Sequence, residues 1–372
     1  MSRLTRVLVG GLVVVVALIV SVALGEVSLR LFYPQPLGVW HHDPAGLALH
    51  WPGRATYLPQ FGQTVSINSA GMRDREHAVE KSPGVFRILV LGDSFMEALQ
   101  VPFERSFPSL LERALAQQTG KHVEVVNASV SGWGTDDELQ YLETYGRAWK
   151  PDLILVAMTL HNDISDNLRE RFHTVKGGAV TATVGEPASF WRYRIVLLQG
   201  FLATRSHAFQ LLNRARRAGE MRSTARQLNS HVVDLFREGD DGTIARGVDL
   251  TARLLDRIQS RAAAEGGRVV LVLLPLAMQL SEERFDAFAR VVAGSANGST
   301  GRLDIGRPQR MMLAVADRAD LPAIDLLPRF RAWTAGGGAE LFLQRDGHWS
   351  EQGHRLAVEI VVQEMITRGL AG

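Results

Sequence analysis

Two distant segments of the chain carry the residue types that nucleophilic catalysis by a hydroxyl group requires. Gly92-Asp93-Ser94 follows a short apolar run, and Asp346-Gly347-His348 lies near the C-terminus. A serine hydroxyl is a weak nucleophile unless a base accepts its proton, and a carboxylate can orient and stabilise a histidine that does so. The Gly-Asp-Ser tripeptide alone is equally typical of a tight turn that caps a helix. Its chemistry therefore depends on what lies beside it.

Two polar loops supply further groups that could act on the same substrate. Residues 127–135 form a glycine-bearing loop after a second apolar run, and residues 159–163 place His161, Asn162 and Asp163 directly after a third. Each loop alone has a structural explanation, as a loop glycine or a helix cap. Ligands of open α/β sheets bind at the carboxyl ends of the strands. We therefore expect these loops to lie beside Ser94.

The apolar runs that precede these loops predict the strands of one parallel sheet. Amphipathic stretches separate the runs, and a last helix starts near Ser350. Strands that alternate with helices indicate a sheet covered on both faces. The predicted strands are 86–91, 123–126, 153–158, 269–274 and 323–326, and the earlier helices are about 107–118 and 136–149.

The composition excludes several other kinds of protein. Hydrophobic residues make up 46% of the 372 residues, which excludes wholesale disorder, and a net charge of +2 does not suggest a partner nucleic acid. The chain has no cysteine, which excludes a disulfide scaffold, a cysteine-ligated metal and a thiolate nucleophile. Asp163 and Asp166 lack a matching set of ligands elsewhere. We therefore predict no metal site and no cofactor.

The N-terminus predicts a membrane anchor. Residues 7–24 carry no charge and follow Arg3 and Arg6. Eighteen helical residues span about 27 Å, close to the hydrocarbon thickness of a bilayer. The alternative is a cleaved signal peptide, but the apolar region of a signal peptide is usually shorter. The preceding arginines place the N-terminus in the cytoplasm and the remainder on the extracytoplasmic, periplasmic side of the cell membrane.

Three regions are expected along the chain. Residues 1–24 are the anchor, residues 25–85 are a connector that packs on the main domain and contains a small hairpin near 65–68, and residues 86–372 are the main domain. A basic helical insertion at about 170–250 interrupts that domain, with eight arginines and one acidic residue between 192 and 226. Either these arginines are simply solvated, or the segment lies on an anionic membrane surface or shapes a substrate groove.

With these motifs in place, residues 86–366 resemble the SGNH (GDSL) hydrolase family. The resemblance implies a flavodoxin-like three-layer α/β/α sandwich. It also implies Ser94 as the nucleophile and His348 as the general base, with Asp346 behind it. The oxyanion donors would be the backbone of Ser94, the backbone of Gly132 and the side chain of Asn162. Asp93, Trp133 and His161 are candidate substrate-binding residues.

Two positions depart from the pattern of the family. Leu160 stands where the third motif usually has glycine, and Trp349 occupies the usual place of the histidine, because the fourth motif reads Asp-x-His rather than Asp-x-x-His. The shorter spacing resembles the branch that includes alginate-type polysaccharide O-acetylation proteins. The anchor and residues 68–74 resemble membrane-tethered bacterial members. His354 is a second candidate base, for which packing or capping is the favoured role.

The residues and the resemblance leave three functions open. The first is a membrane-anchored extracytoplasmic serine esterase that acts on an acylated glycan or a lipid-like envelope molecule. The second is an O-acyltransferase that moves the acyl group to a polysaccharide, with a membrane acyltransferase as partner. The third is a non-catalytic glycan-binding assembly subunit. The complete set of Ser94, Asn162, Asp346 and His348 argues against the third, because binding alone does not need it.

Overall fold

Helices and strands alternate along most of the chain in this computed structural model, which describes residues 2–183, 190–239, 242–293, 302–344 and 346–372. In chain order the elements are α1 (Arg3–Phe32), β1 (Trp40–His42), β2 (Ala48–His50), β3 (Ala55–Leu58), β4 (Gln63–Ser66), β5 (Phe86–Gly92), α2 (Ser94–Glu97), α3 (Phe107–Thr119), β6 (Val123–Asn127), α4 (Thr135–Thr144), β7 (Leu153–Thr159), α5 (Leu160–Asn167), β8 (His173–Lys176), β9 (Ala179–Ala182), α6 (Phe190–Ala203), α7 (His207–Phe236), α8 (Thr243–Ala263), β10 (Arg268–Leu274), α9 (Glu282–Ala293), α10 (Arg307–Arg318), β11 (Ala323–Asp325), α11 (Leu327–Ala335) and α12 (Glu351–Thr367). Short 3-10 helices occupy Phe103–Arg105, Gly146–Trp149 and Ala277–Leu280.

Five parallel strands form the central sheet, in the order β11-β10-β7-β5-β6. All seven residues of the middle strand, β7, are buried, which explains why its sequence is apolar without alternation. Each of the five strands lies within a residue or two of its predicted bounds. The order is that of flavodoxin-like folds, whose ligands bind where neighbouring connections run to opposite faces of the sheet. Here that point lies between β5 and β7.

Helices cover both faces of the sheet, as the predicted three-layer sandwich requires. Alternate residues of a strand point to opposite faces. Leu89 and Leu91 of β5 pack in one core with α4, α8 and α10, whereas Ile88 and Val90 pack in the other with α3 and α12. The two cores explain how the sheet is buried on both sides, and the predicted fold class is confirmed.

The helix predicted over 136–149 is interrupted. α4 ends at Thr144 and a 3-10 helix covers Gly146–Trp149. A Cβ atom at Gly146 would lie 3.2 Å from the side chains of both Leu142 and Leu89. The chain therefore packs closely on β5 at this point, and a larger residue would require these two side chains to shift.

α1 is longer than the predicted anchor, because it continues from residue 24 to Phe32. Within the ranges that the structure describes, it is the one helix long and apolar enough to cross a membrane, and it lies near the N-terminus. Its apolar side chains are exposed. Length and composition suit a membrane span or a signal sequence.

The segment between α1 and β5 forms two antiparallel hairpins, β1–β2 and β3–β4. The second is the hairpin expected near residues 65–68. The buried side chain of Arg73 joins this segment to the sheet domain, because its guanidinium donates to the carbonyl oxygens of Glu97 (2.6 Å), Ala98 (2.5 Å) and Val101 (2.6 Å). These carbonyls immediately follow the Gly-Asp-Ser motif, so the segment packs on the chain that carries Ser94.

The long connection from β7 to β10 contains α5 to α8 and the β8–β9 hairpin. The expected helical pair of the basic segment is α6 and α7. Arg194, Arg205, Arg214 and Arg216 are exposed, and the side chains of the other four arginines lie outside the described ones. The C-terminal part of α7 packs in the same core as α4 and α8, so the insertion is continuous with one face of the sheet domain.

Candidate active site

Ser94 stands at the end of β5, as the first residue of the short helix α2. The carboxylate of Asp93 accepts the Phe95 N–H (2.9 Å) and caps this helix. A Cβ atom at Gly92 would lie 2.8 Å from Met96 Cγ and 3.3 Å from Ala157 Cβ, so any other residue here would force Met96 to shift. Ser94 itself is only half-buried. Its hydroxyl therefore stands at the carboxyl edge of the sheet within reach of a substrate.

The structure brings Ser94, His348 and Asp346 into one chain of hydrogen bonds. His348 Nε2 lies 2.7 Å from Ser94 Oγ, and His348 Nδ1 lies 2.6 Å from Asp346 Oδ1. With Nδ1 donating to the carboxylate, Nε2 is left to accept the hydroxyl proton. The side chains of His348 and Asp346 remain 24% and 29% exposed. This arrangement can activate a serine hydroxyl for attack on a carbonyl carbon.

Gly347 and Trp349 allow Asp346 and His348 to form a hydrogen bond although only one residue separates them. Gly347 has a φ of +82°, a conformation that favours glycine, and it turns the chain between the acid and the base. Trp349 is fully buried against Phe95, with ring centroids 5.3 Å apart. The tryptophan in the usual histidine position is therefore a core residue. It fixes the segment from behind, while the preceding His348 faces Ser94.

Asn162 is tied to the residue before the nucleophile. It lies in α5, directly after β7, and its Nδ2 donates to Asp93 Oδ2 at 3.2 Å. A carboxamide nitrogen has two N–H donors, so one remains to bind an oxyanion. Asp93 is itself buried. In this structure it caps α2 and orients Asn162, and its role in substrate binding stays a prediction.

The loop that carries Gly132 is fixed on the other side of α2. The Val130 N–H donates to the carbonyl of Gly92 (3.3 Å), and the Ser131 N–H donates to Glu97 Oε2 (2.8 Å). Gly132 has a φ of +83° and is exposed. Its backbone thus lies after β6 at the edge where Ser94 and Asn162 also lie, and only glycine suits this conformation.

The other two candidate substrate-binding residues are Trp133 and His161. Trp133 is 1% exposed and belongs to the core, and its indole N–H donates to the carbonyl of Ala48 at 2.9 Å. This burial leaves little surface for contact with a substrate, and the role of Trp133 in substrate binding stays a prediction. His161 is in α5, but its side chain lies outside the described ones.

His354 is packed inside the domain, as favoured from the sequence. Its Nδ1 accepts the N–H of Phe107, the first residue of α3, at 3.2 Å, and its ring lies edge-on to Trp349. Burial, and after it the charge of the nearby Arg73 guanidinium, lowers the pKa of His354 to about 3. The imidazole is therefore neutral near neutral pH and caps a helix.

Buried carboxyl groups lie behind the site. Burial, and after it the charges of neighbouring carboxylates, raises the pKa values of Glu138 and Asp163 well above the usual range. Asp163 Oδ2 accepts the Thr159 N–H at 2.8 Å, and the partly buried Asp166 pairs with Arg169. Among the described residues no cluster of three or more histidine, aspartate or glutamate side chains is arranged to hold a metal ion.

Sequence reasoning missed Glu97, a fully buried carboxylate on the C-terminal turn of α2. Its Oε1 lies 2.6 Å from His50 Nε2 and accepts the indole N–H of Trp40 at 3.0 Å, whereas Oε2 accepts both the backbone N–H and the hydroxyl of Ser131. Burial alone would raise the pKa of Glu97, but the bonds from His50 and Ser131 outweigh it and lower that pKa. One signal was available, since Glu97 is a lone acid in an apolar segment.

The chain was compared with known protein families and proteins. A model of the GDSL-like lipase/acylhydrolase family matches residues 90–356. An arylesterase from Vibrio mimicus is 42% identical over 72 residues, which are 19% of this chain and 36% of that protein. The chain thus matches about a third of the length of this curated relative.

Three solved structures are also similar to this chain. TesA is 19% identical, with a TM-score of 0.37, over 75% of this chain and 97% of that chain. A lipase/acylhydrolase from Enterococcus faecalis is 18% identical, with a TM-score of 0.39, over 76% and 96%. An acetylxylan esterase from Geobacillus stearothermophilus is 14% identical, with a TM-score of 0.41, over 75% and 94%. Because the family model covers most of the chain and every residue of the hydrogen-bonded site, the protein belongs to the GDSL-like lipase/acylhydrolase family.

Proposed function

We propose that this protein is a membrane-anchored serine acylhydrolase whose catalytic domain lies outside the cytoplasm and removes acyl groups from an acylated glycan or a related envelope molecule. The observation that carries the proposal is the chain of hydrogen bonds from Ser94 through His348 to Asp346. Binding alone gains nothing from a serine hydroxyl aligned on a carboxylate-bound imidazole.

The reaction follows from the positions of these groups. Ser94 Oγ attacks the ester carbonyl carbon while its proton passes to His348 Nε2. The negative carbonyl oxygen is bound by the backbone N–H groups of Ser94 and Gly132 and by Asn162 Nδ2. As the tetrahedral intermediate collapses, Nε2 gives its proton to the departing alcohol. Water then attacks the acyl-serine with His348 again as the base, which releases the acid and restores Ser94.

The location in the proposal rests on α1. The helix has no charged residue between residues 7 and 24, and two arginines precede this stretch. A charged residue at the bilayer centre costs about 2.5–3.5 kcal/mol on insertion scales, so the absence of charge favours retention. A catalytic domain held outside the cytoplasm meets the esters of the cell envelope, and this is the reason for the substrate class.

The test of the reaction uses the full-length protein in detergent and a short p-nitrophenyl ester. Wild type should hydrolyse the ester, and the mass of the intact protein after an acid quench should show one acyl group on Ser94. Ser94→Ala should remove both signals, whereas Ser109→Ala on α3 should keep them. Undiminished turnover by Ser94→Ala would exclude this mechanism.

The test of the location uses cells. After an alkaline carbonate wash the protein should remain in the membrane pellet, and protease added to spheroplasts should digest the catalytic domain. A soluble protein whose N-terminus begins near residue 24 would show that the segment is a cleaved signal. Protection from the protease would place the domain on the cytoplasmic side.

A further inference from the structure

The C-terminal turns of α1 hold the turn between α6 and α7. The carboxylate of Glu26 accepts the backbone N–H groups of His207 (2.9 Å) and Ala208 (3.0 Å) at the start of α7, and also the hydroxyl of Ser206 (2.9 Å). The guanidinium of Arg30 donates to the carbonyl of Arg205 at 2.7 Å. These bonds place the C-terminal end of α6 beside the C-terminal end of α1.

The segment after α1 fixes the same turn from its other side. The Gln35 N–H donates to His207 Nδ1 (2.8 Å), and the Gly38 N–H donates to the carbonyl of Ala203 (2.9 Å). One face of α6 lies against β1, where a Cβ atom at Gly200 would be 3.9 Å from both His41 and Trp51. α6 is therefore held at the level where α1 ends.

The other face of α6 is apolar and exposed. Trp191, Ile195 and Leu198 follow one another at the spacing i, i+4 and i+7, so they form one stripe on the helix. They are 72%, 53% and 56% exposed. Two exposed arginines flank the stripe, Arg194 on the same helix and Arg205 just after it.

We propose that this stripe is a membrane-docking surface, on which α6 lies in the head-group region of the outer leaflet beside α1. The occupant is lipid because α6 is bonded to the end of a helix whose own side chains are apolar and exposed. The arginines add charge complementarity, since long basic side chains reach the phosphates of anionic lipids while their stems stay apolar. This inference rests on the proposed anchoring of α1.

The test uses the natural absence of cysteine in the chain. Single substitutions Leu198→Cys, Val16→Cys and Ile366→Cys are labelled with an environment-sensitive fluorophore in the full-length protein. The labelled proteins are reconstituted in vesicles of phosphatidylethanolamine and phosphatidylglycerol. Ile366 is the matched control, because it is an exposed apolar residue of α12, on the opposite face of the sheet from α7. Quencher lipids carry the quenching group either near the head group or deep in the acyl chain.

We expect the label at Leu198 to lose as much fluorescence as the label at Val16, with the head-group quencher more effective at Leu198 and the deep quencher more effective at Val16. The label at Ile366 should lose none. Ile195→Cys gives a second position on the same stripe. Quenching at Val16 without quenching at Leu198 and Ile195 would overturn the inference while leaving the anchor in place. This holds even if the fluorescence emission of the label at Leu198 or Ile195 shifted to the blue, which would show that another protein surface covers the stripe. Loss of quenching at Val16 as well would overturn the anchor.

A second inference concerns the contact between the connector and Glu97 of α2. The two carboxylate oxygens of Glu97 bind different segments of the chain. Oε1 binds His50 and Trp40 of the connector, and Oε2 binds Ser131 of the loop at residues 127–135 that carries Gly132, the oxyanion loop. We infer that Glu97 is a positioning residue that fixes the backbone of Gly132 against α2. This inference rests on the proposed role of Gly132, the residue next to Ser131.

Glu97→Gln tests this role, because the amide keeps the shape of the side chain but cannot accept on both atoms. A misplacement of about 1 Å at a reacting centre can cost about 10²-fold, so we expect kcat to fall by about 10² with KM little changed. The matched control is Glu112→Gln, since Glu112 also binds the connector, through Arg75, but contacts no part of the oxyanion loop. It should keep wild-type kcat.

Turnover is compared at equal folded fraction, measured by near-UV circular dichroism. If Glu97→Gln does not fold, Ser131→Ala at the half-buried end of the contact takes its place, with an expected loss of at least about tenfold in kcat for one hydrogen bond to a carboxylate. Wild-type kcat in the folded variant would overturn the positioning role. If Ser94→Ala were active as well, the proposed mechanism itself would fall.

Discussion

Asp346→Asn tests how far the reaction depends on the carboxylate behind His348. In the wild-type protein Asp346 Oδ1 lies 2.6 Å from His348 Nδ1. Asparagine has nearly the same shape, but its amide can present N–H to Nδ1 and so favour the tautomer with the proton on Nε2. That nitrogen would then face Ser94 with a proton of its own and could not accept another.

The magnitude follows from the charge that is lost. A carboxylate attracts an imidazolium whose charge centre is about 4 Å away by about 4 kcal/mol at an effective dielectric constant of about 20. Since about 1.4 kcal/mol is a factor of ten, this loss alone lowers kcat by almost 10³-fold. The wrong tautomer adds to the loss, whereas solvent at the partly exposed Asp346 reduces it. We therefore expect a fall of about 10³-fold in kcat and little change in KM.

The assay is steady-state hydrolysis of p-nitrophenyl acetate by the full-length protein in detergent. Asp346→Ala is the matched control, because water can enter the space and accept the proton of Nδ1, which restores the useful tautomer. We expect the alanine variant to be more active than the asparagine variant. If Asp346→Asn kept more than a tenth of the wild-type kcat, the reasoning that makes Asp346 the partner of the base would be refuted.

Three further predictions concern Asn162 and the buried titratable groups. Asn162→Ala should lower kcat by about 10²–10³-fold in the same ester assay, because one oxyanion donor is lost, and a change confined to KM would assign the residue to ground-state binding instead. His354 has a folded pKa of about 3 against an ordinary value of 6.5, so the stability it contributes is complete above pH 6.5 and is lost as the pH falls from there toward 3. In His354→Gln the free energy of unfolding by urea should therefore fall less between pH 7 and pH 5 than in wild type, by about 2 kcal/mol, and an equal fall would contradict the neutral assignment. The pKa of Glu138 is raised, so its contribution is complete below the ordinary value of 4.5 and is lost as the pH rises toward the folded pKa. In Glu138→Gln the free energy of unfolding by urea should therefore change less with pH above 4.5 than it does in wild type. An equal change in both proteins would contradict burial of a protonated carboxyl group.

The sheet could be predicted from the sequence because each of its strands is a short apolar run between helical segments. The runs at 88–91 and 153–158 have no polar residue, which is typical of strands buried on both faces. The position of Asn162 beside the Gly-Asp-Ser motif could be expected as well, since the two segments follow neighbouring parallel strands. In each case local chemistry and a general rule of topology were sufficient.

The supports of the site could not be predicted in this way. Arg73, His50 and Glu97 lie far apart in the chain, and each is a polar residue whose type is common on surfaces. Their burial depends on a packing between the connector and α2 that no periodicity describes. The burial of Trp133 could not be predicted for a related reason, because an aromatic residue beside an oxyanion glycine looks the same in sequence whether it faces a substrate or the core.

The way α1 passes into the connector also determines how far the enzyme can reach. Only residues 33–39 separate α1 from β1, and the hydrogen bonds of Gln35 and Gly38 hold this link against α6 and α7. There is no slack tether, so in an anchored protein Ser94 stands at one height above the bilayer. The enzyme then selects esters by their distance from the membrane as well as by their chemistry. A flexible spacer inserted after Phe32 would widen the layer of envelope in which it can work.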